Sequence, residues 1–216
     1  MDKTKYFQNF FKASTERDKV WKVISAYLQR YIPGSSKVLD MGAGYCGFIN
    51  NIKAKEKHAI DVFKDIEKYA SKDVITHKRS VVDIDNLDPA CFDVVFASNV
   101  FEHLSREDLE RLLPKIKKIL KPEGRLIIIQ PNFRYSFKVY FYDYTHKEIY
   151  TADSLCAFLE EFGFNIEIRK DRFLPYTMDN KIPKVPFLVR LYLIFPIKFF
   201  GGQMLLIARI DKKEGR

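Results

Sequence analysis

The sequence predicts a doubly wound α/β domain on a mostly parallel, seven-stranded sheet, with a helical cover at its N-terminus. Three observations predict it. Short apolar runs of strand length alternate with stretches of helical periodicity, the order that builds a parallel sheet. A glycine-rich turn, Gly42-Ala-Gly-Tyr-Cys-Gly47, follows the first of those runs. The chain has 216 residues, 47% apolar and 30% charged, which suits one globular domain spanning 1–216 rather than a disordered chain.

The elements follow in order. Residues 1–36 read as the helical cover: Val20, Trp21, Val23, Ile24, Tyr27, Leu28 and Tyr31 recur at helical spacing, and Pro33-Gly34 stops the run. Lys37–Asp40 is a short buried strand, followed by the glycine turn and a helix from about Phe48. His58–Val62 and Val74–His77 are strands two and three, and Phe92–Ala97 is a clean apolar strand four. Ser105-Arg-Glu-Asp108 starts a capped helix that runs to about Leu120. Lys121–Gly124 turns into strand five, Arg125–Gln130. Thr151 caps a helix ending at Phe162-Gly163, and Asn165–Phe173 and Met204–Ile210 are the last two strands. That closing pair lacks an ordinary crossover helix and is expected to add an antiparallel edge.

Composition excludes several classes. Three scattered cysteines, Cys46, Cys91 and Cys156, rule out a disulfide framework and a paired-cysteine zinc site. Met1–Phe11 has no long apolar run, so no signal peptide is expected, and nothing reaches the roughly 20 apolar residues of a membrane span. A cytoplasmic protein is expected. The net charge is +9 and is concentrated at the two ends. Residues 1–36 hold seven basic and three acidic groups, and residues 163–216 hold eleven and five. Such ends favour an anionic partner, or form a solvated lysine-rich surface.

The glycine turn carries the strongest chemical signal. Gly42, Gly44 and Gly47 sit as G-x-G-x-x-G after a strand, a pattern that a dinucleotide-binding domain would share. Asp40 argues against a dinucleotide. It ends the strand two residues before Gly42, where a pyrophosphate would meet its charge and a ligand bearing an ammonium and a sulfonium would not. Gly42 and Gly44 lack a Cβ, so the backbone can approach the ligand closely.

With that turn the sequence resembles the class I S-adenosylmethionine (SAM)-dependent methyltransferases, in particular their small-molecule, type 11-like subgroup. Asp40-Met-Gly-Ala-Gly44 resembles the first motif, and the resemblance continues in order over roughly 35–165. Asp61, with Val62, ends strand two, where the family places an acid on the ribose hydroxyls. Asp83, with Ile84, falls where the family contacts the adenine amino group. Phe92–Leu104, with Ser98 and Asn99, resembles the fourth motif, and Lys121–Ile129 resembles the start of strand five. The resemblance implies a Rossmann-like fold and SAM as cofactor, with S-adenosylhomocysteine as product. It assigns Asp40, Gly42, Ala43, Gly44, Asp61, Val62, Asp83, Ile84, Ser98 and Asn99 to cofactor binding. A SAM-binding module without catalysis remains the non-enzyme alternative.

Departures from related groups narrow the acceptor. The Asn/Asp-Pro-Pro-aromatic motif of amino-methylating nucleic-acid enzymes is replaced by Ser98-Asn-Val-Phe101. Cys91 precedes strand four, away from the edge where ligands bind, so it is not the nucleophile of cytosine-C5 enzymes. Asn99 and Asn132 stand where catechol-type enzymes place aspartates, and amides are poor Mg²⁺ ligands, so no metal is expected. RNA is the weaker alternative, resting on net charge. The favoured expectation is methylation at oxygen of a small-molecule, sugar, glycan or lipid-linked acceptor.

A hydroxyl acceptor profits from a base. Of the four histidines, His58 and His77 are expected to be structural or superficial. His103, in Phe101-Glu-His-Leu104, follows strand four near the expected sulfonium and is either scaffold or catalytic. His146 lies in an aromatic-rich insertion, about 133–147, with Asp143 placed to orient it. His146 is the first choice for the base.

Residues 174–202 form a second insertion, between strands six and seven. Lys181–Phe200 holds four basic groups and no acid, with Arg190 and Lys198 set among apolar residues. It is read as a lid, a dimer contact or a peripheral contact with anionic membrane, where the long basic side chains would reach headgroups.

Overall fold

The computed structural model describes residues 14–176, 185–198 and 200–210. Helix α1, Thr15–Leu28, begins where the Ser14 hydroxyl accepts the Arg17 amide proton, and it continues into a 3₁₀ turn over Gln29–Tyr31. The part of the expected helical cover before Ser14 lies outside the described residues.

Seven strands follow: β1 (Lys37–Met41), β2 (Glu56–Asp61), β3 (Val74–Lys78), β4 (Phe92–Ser98), β5 (Leu120–Pro131), β6 (Phe164–Pro175) and β7 (Gly201–Ile210). They form one sheet in the order β3-β2-β1-β4-β5-β7-β6. β7 is antiparallel to both its neighbours, and the other pairings are parallel. The antiparallel strand is therefore internal, and β6 forms the edge. The reason is side-chain pattern. Gly201–Ala208 is buried throughout, as a central strand must be, whereas β6 alternates toward solvent from Phe164 to Lys170.

Helices cover both faces. α2 is one turn, Ile66–Tyr69. α3 (Arg106–Ile119) is capped by Ser105, α4 (Phe133–Ser136) is again a single turn, and α5 (Ala152–Glu161) is capped by a reciprocal Thr151–Ser154 box. Leu109, Leu112, Leu113 and Ile116 of α3 pack with Leu155 and Leu159 of α5 against Leu39, Met41 and Val95. On the other face, Val20, Ile24 and Leu28 of α1 pack on Val38, Phe96 and Ile127.

One expected helix is missing. After the glycine turn the chain makes only a 3₁₀ turn, Ile49–Asn51, rather than a helix from Phe48. Side-chain amides divert the backbone: Asn51 Nδ2 donates to the Gly47 carbonyl and Asn50 Nδ2 to that of Tyr69. α1 covers that part of the sheet instead.

The insertion between β6 and β7 contains α6, Pro186–Ile194, which packs on α1 and sets Leu193 into the core. Because β6 runs parallel to β4 and β5, this insertion, the glycine turn and the aromatic insertion after β5 all rise from the sheet's carboxyl edge.

Candidate active site

At that edge the glycine turn is held by its neighbours. The Gly42 and Ala43 amides donate to the Ile60 carbonyl at 2.8 and 3.2 Å, tying the turn to β2. Gly42 and Gly44 have φ of +70° and +51°, and a Cβ on Gly42 would lie 2.5 Å from Val100 Cγ2. Val100 carries the β4 exit, Ser98 and Asn99, up against the turn. Asn99 itself sits at φ +52° with its amide on the Ile129 carbonyl. The third glycine serves packing: a Cβ on Gly47 would lie 2.7 Å from the Trp21 ring.

Two aspartates stand beneath the turn. Asp61 is buried, and its Oδ2 and Oδ1 accept the Gly44 and Phe63 amides, both at 2.8 Å. Asp40 is buried beside it. Burial first and the Asp61 charge second push its carboxyl well above the ordinary range, opposed by a hydrogen bond from the Ile49 amide. The same burial, with both carboxylates, pushes the Cys46 thiol up to about 12. Val62 is exposed beside Asp61. Asp83 is exposed after β3, its amide on the Ser80 carbonyl, while the Ile84 side chain lies wholly within the α3-side core.

The acceptor-side candidates also meet. Phe101–His103 forms a 3₁₀ turn after β4, and the aromatic insertion folds onto it. The Lys147 and Glu148 amides donate to the Glu102 carbonyl at 2.8 and 3.3 Å, and the Tyr140 hydroxyl bonds the Glu148 carbonyl. This clamp sets the His103 and His146 rings 4.8 Å apart and the His146 ring 4.4 Å from that of Tyr140.

Asp143 reaches His103 through Thr145. Its Oδ1 accepts from the Thr145 amide at 2.9 Å and from the Thr145 hydroxyl at 2.6 Å, and that hydroxyl lies 2.9 Å from His103 Nδ1. Its Oδ2 is 3.9 Å from His146 Nε2, in ion-pair range but beyond a hydrogen bond. Burial lowers the His146 pKa, and Asp143 and the Tyr140 backbone oppose that shift.

Sequence reasoning did not single out Glu102. It is fully buried, and neither carboxylate oxygen has a hydrogen-bond partner. Burial pushes its carboxyl up to about 8, opposed by its own backbone amide and aided to a smaller extent by Asp143. Its position beside His103 was the available signal. Thr145 was likewise missed, because its role depends on contacts across the fold. His58 stays structural: it bridges Glu56 at 2.7 Å and His77 at 2.9 Å.

Residues 14–167 match the family model described as a methyltransferase domain. The chain belongs to that family. Its matched region is a methyltransferase domain, and its sheet is the fold of the class I SAM-dependent methyltransferases. A stretch of 102 residues is 30% identical to the phosphoethanolamine N-methyltransferase of Plasmodium falciparum (isolate 3D7), covering 44% of this chain and 38% of that protein. The match thus spans well under half of that relative. Among solved structures, a SAM-dependent methyltransferase from Archaeoglobus fulgidus superposes with a TM-score of 0.64, covering 96% of this methyltransferase and 99% of its own chain at 22% identity. A Burkholderia thailandensis 1,6-didemethyltoxoflavin-N1-methyltransferase, solved with bound S-adenosylhomocysteine, gives a TM-score of 0.60 at 17% identity, covering 89% and 78%. These two likenesses establish the fold.

Proposed function

We propose that this methyltransferase transfers the SAM methyl group to an oxygen of a small-molecule, glycan or lipid-linked acceptor bound over His103 and His146. The observation that carries the reading is the clamp of the aromatic insertion onto the Glu102–His103 turn, two residues beyond the Val100 contact with Gly42. It gathers proton-handling groups beside the expected cofactor turn, on an insertion whose Tyr135, Phe137, Phe141, Tyr142 and Tyr144 side chains are exposed.

On the cofactor side, Asp40 meets the ammonium and sulfonium, and Gly42, Ala43 and Gly44 give close backbone approach. Asp61 and Val62 take the ribose. Asp83 and the main chain of Ile84 take the adenine, since the Ile84 side chain is spent in the core. Ser98 and Asn99 border the methionine part. On the acceptor side, His146, His103 and Asp143 form the group that handles the hydroxyl proton, with His146 first. The sulfonium is already an activated electrophile, so positioning and proton handling are the protein's main tasks.

The acceptor reaches the cleft past α6, whose outer face supports a lipid-side approach. Phe187, Ile194 and Phe200 are 70%, 64% and 68% exposed, amid Arg190 and Lys198 and no acid between 185 and 200. Lys198 donates to the Tyr192 and Phe195 carbonyls, closing the end of α6. Among the described residues no helix is long and apolar enough to cross a membrane, and the contact proposed is a peripheral one.

The relative named for a nitrogen acceptor supports a second reading, methylation of an amine. One experiment separates the two. The full chain is incubated with ¹³C-methyl SAM and panels of sugar, glycan-lipid and amine acceptors, and the methyl carbon is read by NMR. An O-methyl product from a hydroxyl acceptor is expected. An N-methyl product alone would move the assignment to nitrogen, and no S-adenosylhomocysteine release with either panel would sink both.

A further inference from the structure

We propose that Glu102, His103 and His146 hold a divalent first-row transition-metal ion on the acceptor side of the cleft. The inference rests on the acceptor-site reading and changes one part of it: with an ion bound, the two imidazole lone pairs lie on the metal, and the hydroxyl is activated by the ion rather than by a histidine base. Each residue offers one ligand atom, and the three atoms lie within 4.8 Å of one another. Bonds of about 2.1 Å in a tetrahedral arrangement set ligand atoms about 3.4 Å apart, so the widest pair draws in by about 1.4 Å. Ligation therefore requires the side chains to rotate toward one another.

The protonation pattern suits ligation. The Thr145 hydroxyl donates its proton to Asp143 Oδ1, so its oxygen accepts from His103 Nδ1–H. His103 Nε2 then carries the lone pair. This carboxylate–hydroxyl–imidazole chain is the kind of outer support that fixes a metal-ligating histidine. At His146, Asp143 lies on the Nε2 side, which favours the proton there and leaves the lone pair on Nδ1. That Nδ1 is buried without a hydrogen-bond partner.

Glu102 gives the independent observation. Its carboxyl is fully buried with neither oxygen hydrogen-bonded, so its charged form is costly unless a cation sits beside it. No lysine or arginine among the described residues pairs with it. The partner at hand is an ion shared with two imidazoles.

Two imidazoles and one carboxylate suit Zn²⁺, Mn²⁺, Fe²⁺ or Co²⁺, whereas Mg²⁺ and Ca²⁺ favour all-oxygen shells. Three protein ligands leave room for an acceptor oxygen. Held there, a hydroxyl would lose its proton to water more readily. Its oxygen–methyl bond would form as the methyl–sulfonium bond breaks, leaving neutral S-adenosylhomocysteine. Asn99 and Asn132, whose amides led the sequence reading to expect no metal, are not among these ligands.

The test is equilibrium dialysis of the chelator-stripped full chain against Zn²⁺, Mn²⁺ and Co²⁺ separately, with bound metal counted by mass spectrometry. About one equivalent of at least one ion is expected. Glu102→Gln and His146→Asn should each weaken it by more than about tenfold, Thr145→Val by about tenfold through His103, and His77→Ala not at all. SAM affinity reports folding in every variant, and His103→Gln replaces any that fails to fold. Wild-type protein that binds no stoichiometric ion, or binding that survives both Glu102→Gln and His146→Asn, overturns the proposal. Stripped enzyme that methylates a hydroxyl at full rate would reject the ion and keep the acceptor reading. Stoichiometric binding without any hydroxyl product would do the reverse.

Discussion

The Asp61 carboxylate accepts the Gly44 amide proton at 2.8 Å, locking the end of β2 to the glycine turn of β1. Its second oxygen holds the Phe63 amide at 2.8 Å. The residue expected on the ribose therefore also builds the turn. Asp61→Ala should lower both SAM affinity and thermal stability, each lost charged hydrogen bond costing about 1.5–3 kcal/mol. Asp61→Asn keeps one acceptor oxygen and should melt closer to wild type while still binding SAM weakly. Calorimetry beside thermal denaturation checks this. Unchanged SAM affinity in Asp61→Ala would remove the ribose assignment.

Asp40 predicts a proton linkage. Its raised carboxyl is faced by the Asp61 carboxylate, the neutral Cys46 thiol and the Ile49 amide. The folded, cofactor-free protein holds this proton more tightly than the unfolded chain, so Asp40 contributes less stability as pH rises above the ordinary carboxylate range. Cationic SAM favours the ionised form. Its binding should release a proton, and its affinity should rise with pH until Asp40 is ionised beforehand. Calorimetry in buffers of different ionisation enthalpy measures the release, and Asp40→Asn should abolish it.

The glycines separate by role. Gly42→Ala meets Val100 at a positive φ and should disable SAM binding. Gly47→Ala pushes on Trp21 and should loosen α1, lowering the melting temperature while costing SAM affinity less. Equal SAM losses in the two variants would contradict this division.

The glycine turn and the acids at the strand ends were legible together because their signals are local. The cluster around His103 and His146 was legible only in part. His146 and Asp143 stood out, but Glu102 gained meaning only when the Lys147 and Glu148 amides closed onto its carbonyl. The apolar run of Met204–Ala208 already spelled an internal strand, and the polar alternation of Asn165, Glu167 and Arg169 an edge. The helix after Gly47 failed for a reason periodicity does not carry, the capture of backbone carbonyls by Asn50 and Asn51.

The exposed face of α6 predicts lipid binding with two components. Full-length protein should float with anionic vesicles at low salt and less at high salt, because basic groups supply part of the attraction. Phe187→Asp with Ile194→Asp should abolish flotation and leave SAM affinity near wild type, since both side chains point to solvent. Flotation unaffected by the double variant would relocate the contact. A stable dimer in light scattering that the double variant dissolves would assign the face to a second copy of the chain.

His146 carries the prediction closest to the chemistry. Its side chain is 5% exposed, set between the Tyr140 and His103 rings with Asp143 3.9 Å from Nε2. It stands on the insertion rather than on the glycine turn, so its loss should fall on turnover. His146→Ala should lower the methylation rate by about 10²–10⁴-fold, the usual contribution of a positioned proton-handling group, with SAM affinity nearly unchanged. Thr145→Val tests the neighbouring arm: it removes the hydroxyl joining Asp143 to His103 while leaving His146 in place. A smaller rate loss is expected there, again without loss of SAM. Single-turnover measurement on preloaded SAM isolates the transfer step from cofactor binding. Full turnover in His146→Ala would hand the acceptor side to His103. Full turnover in both variants would take proton handling away from the insertion altogether.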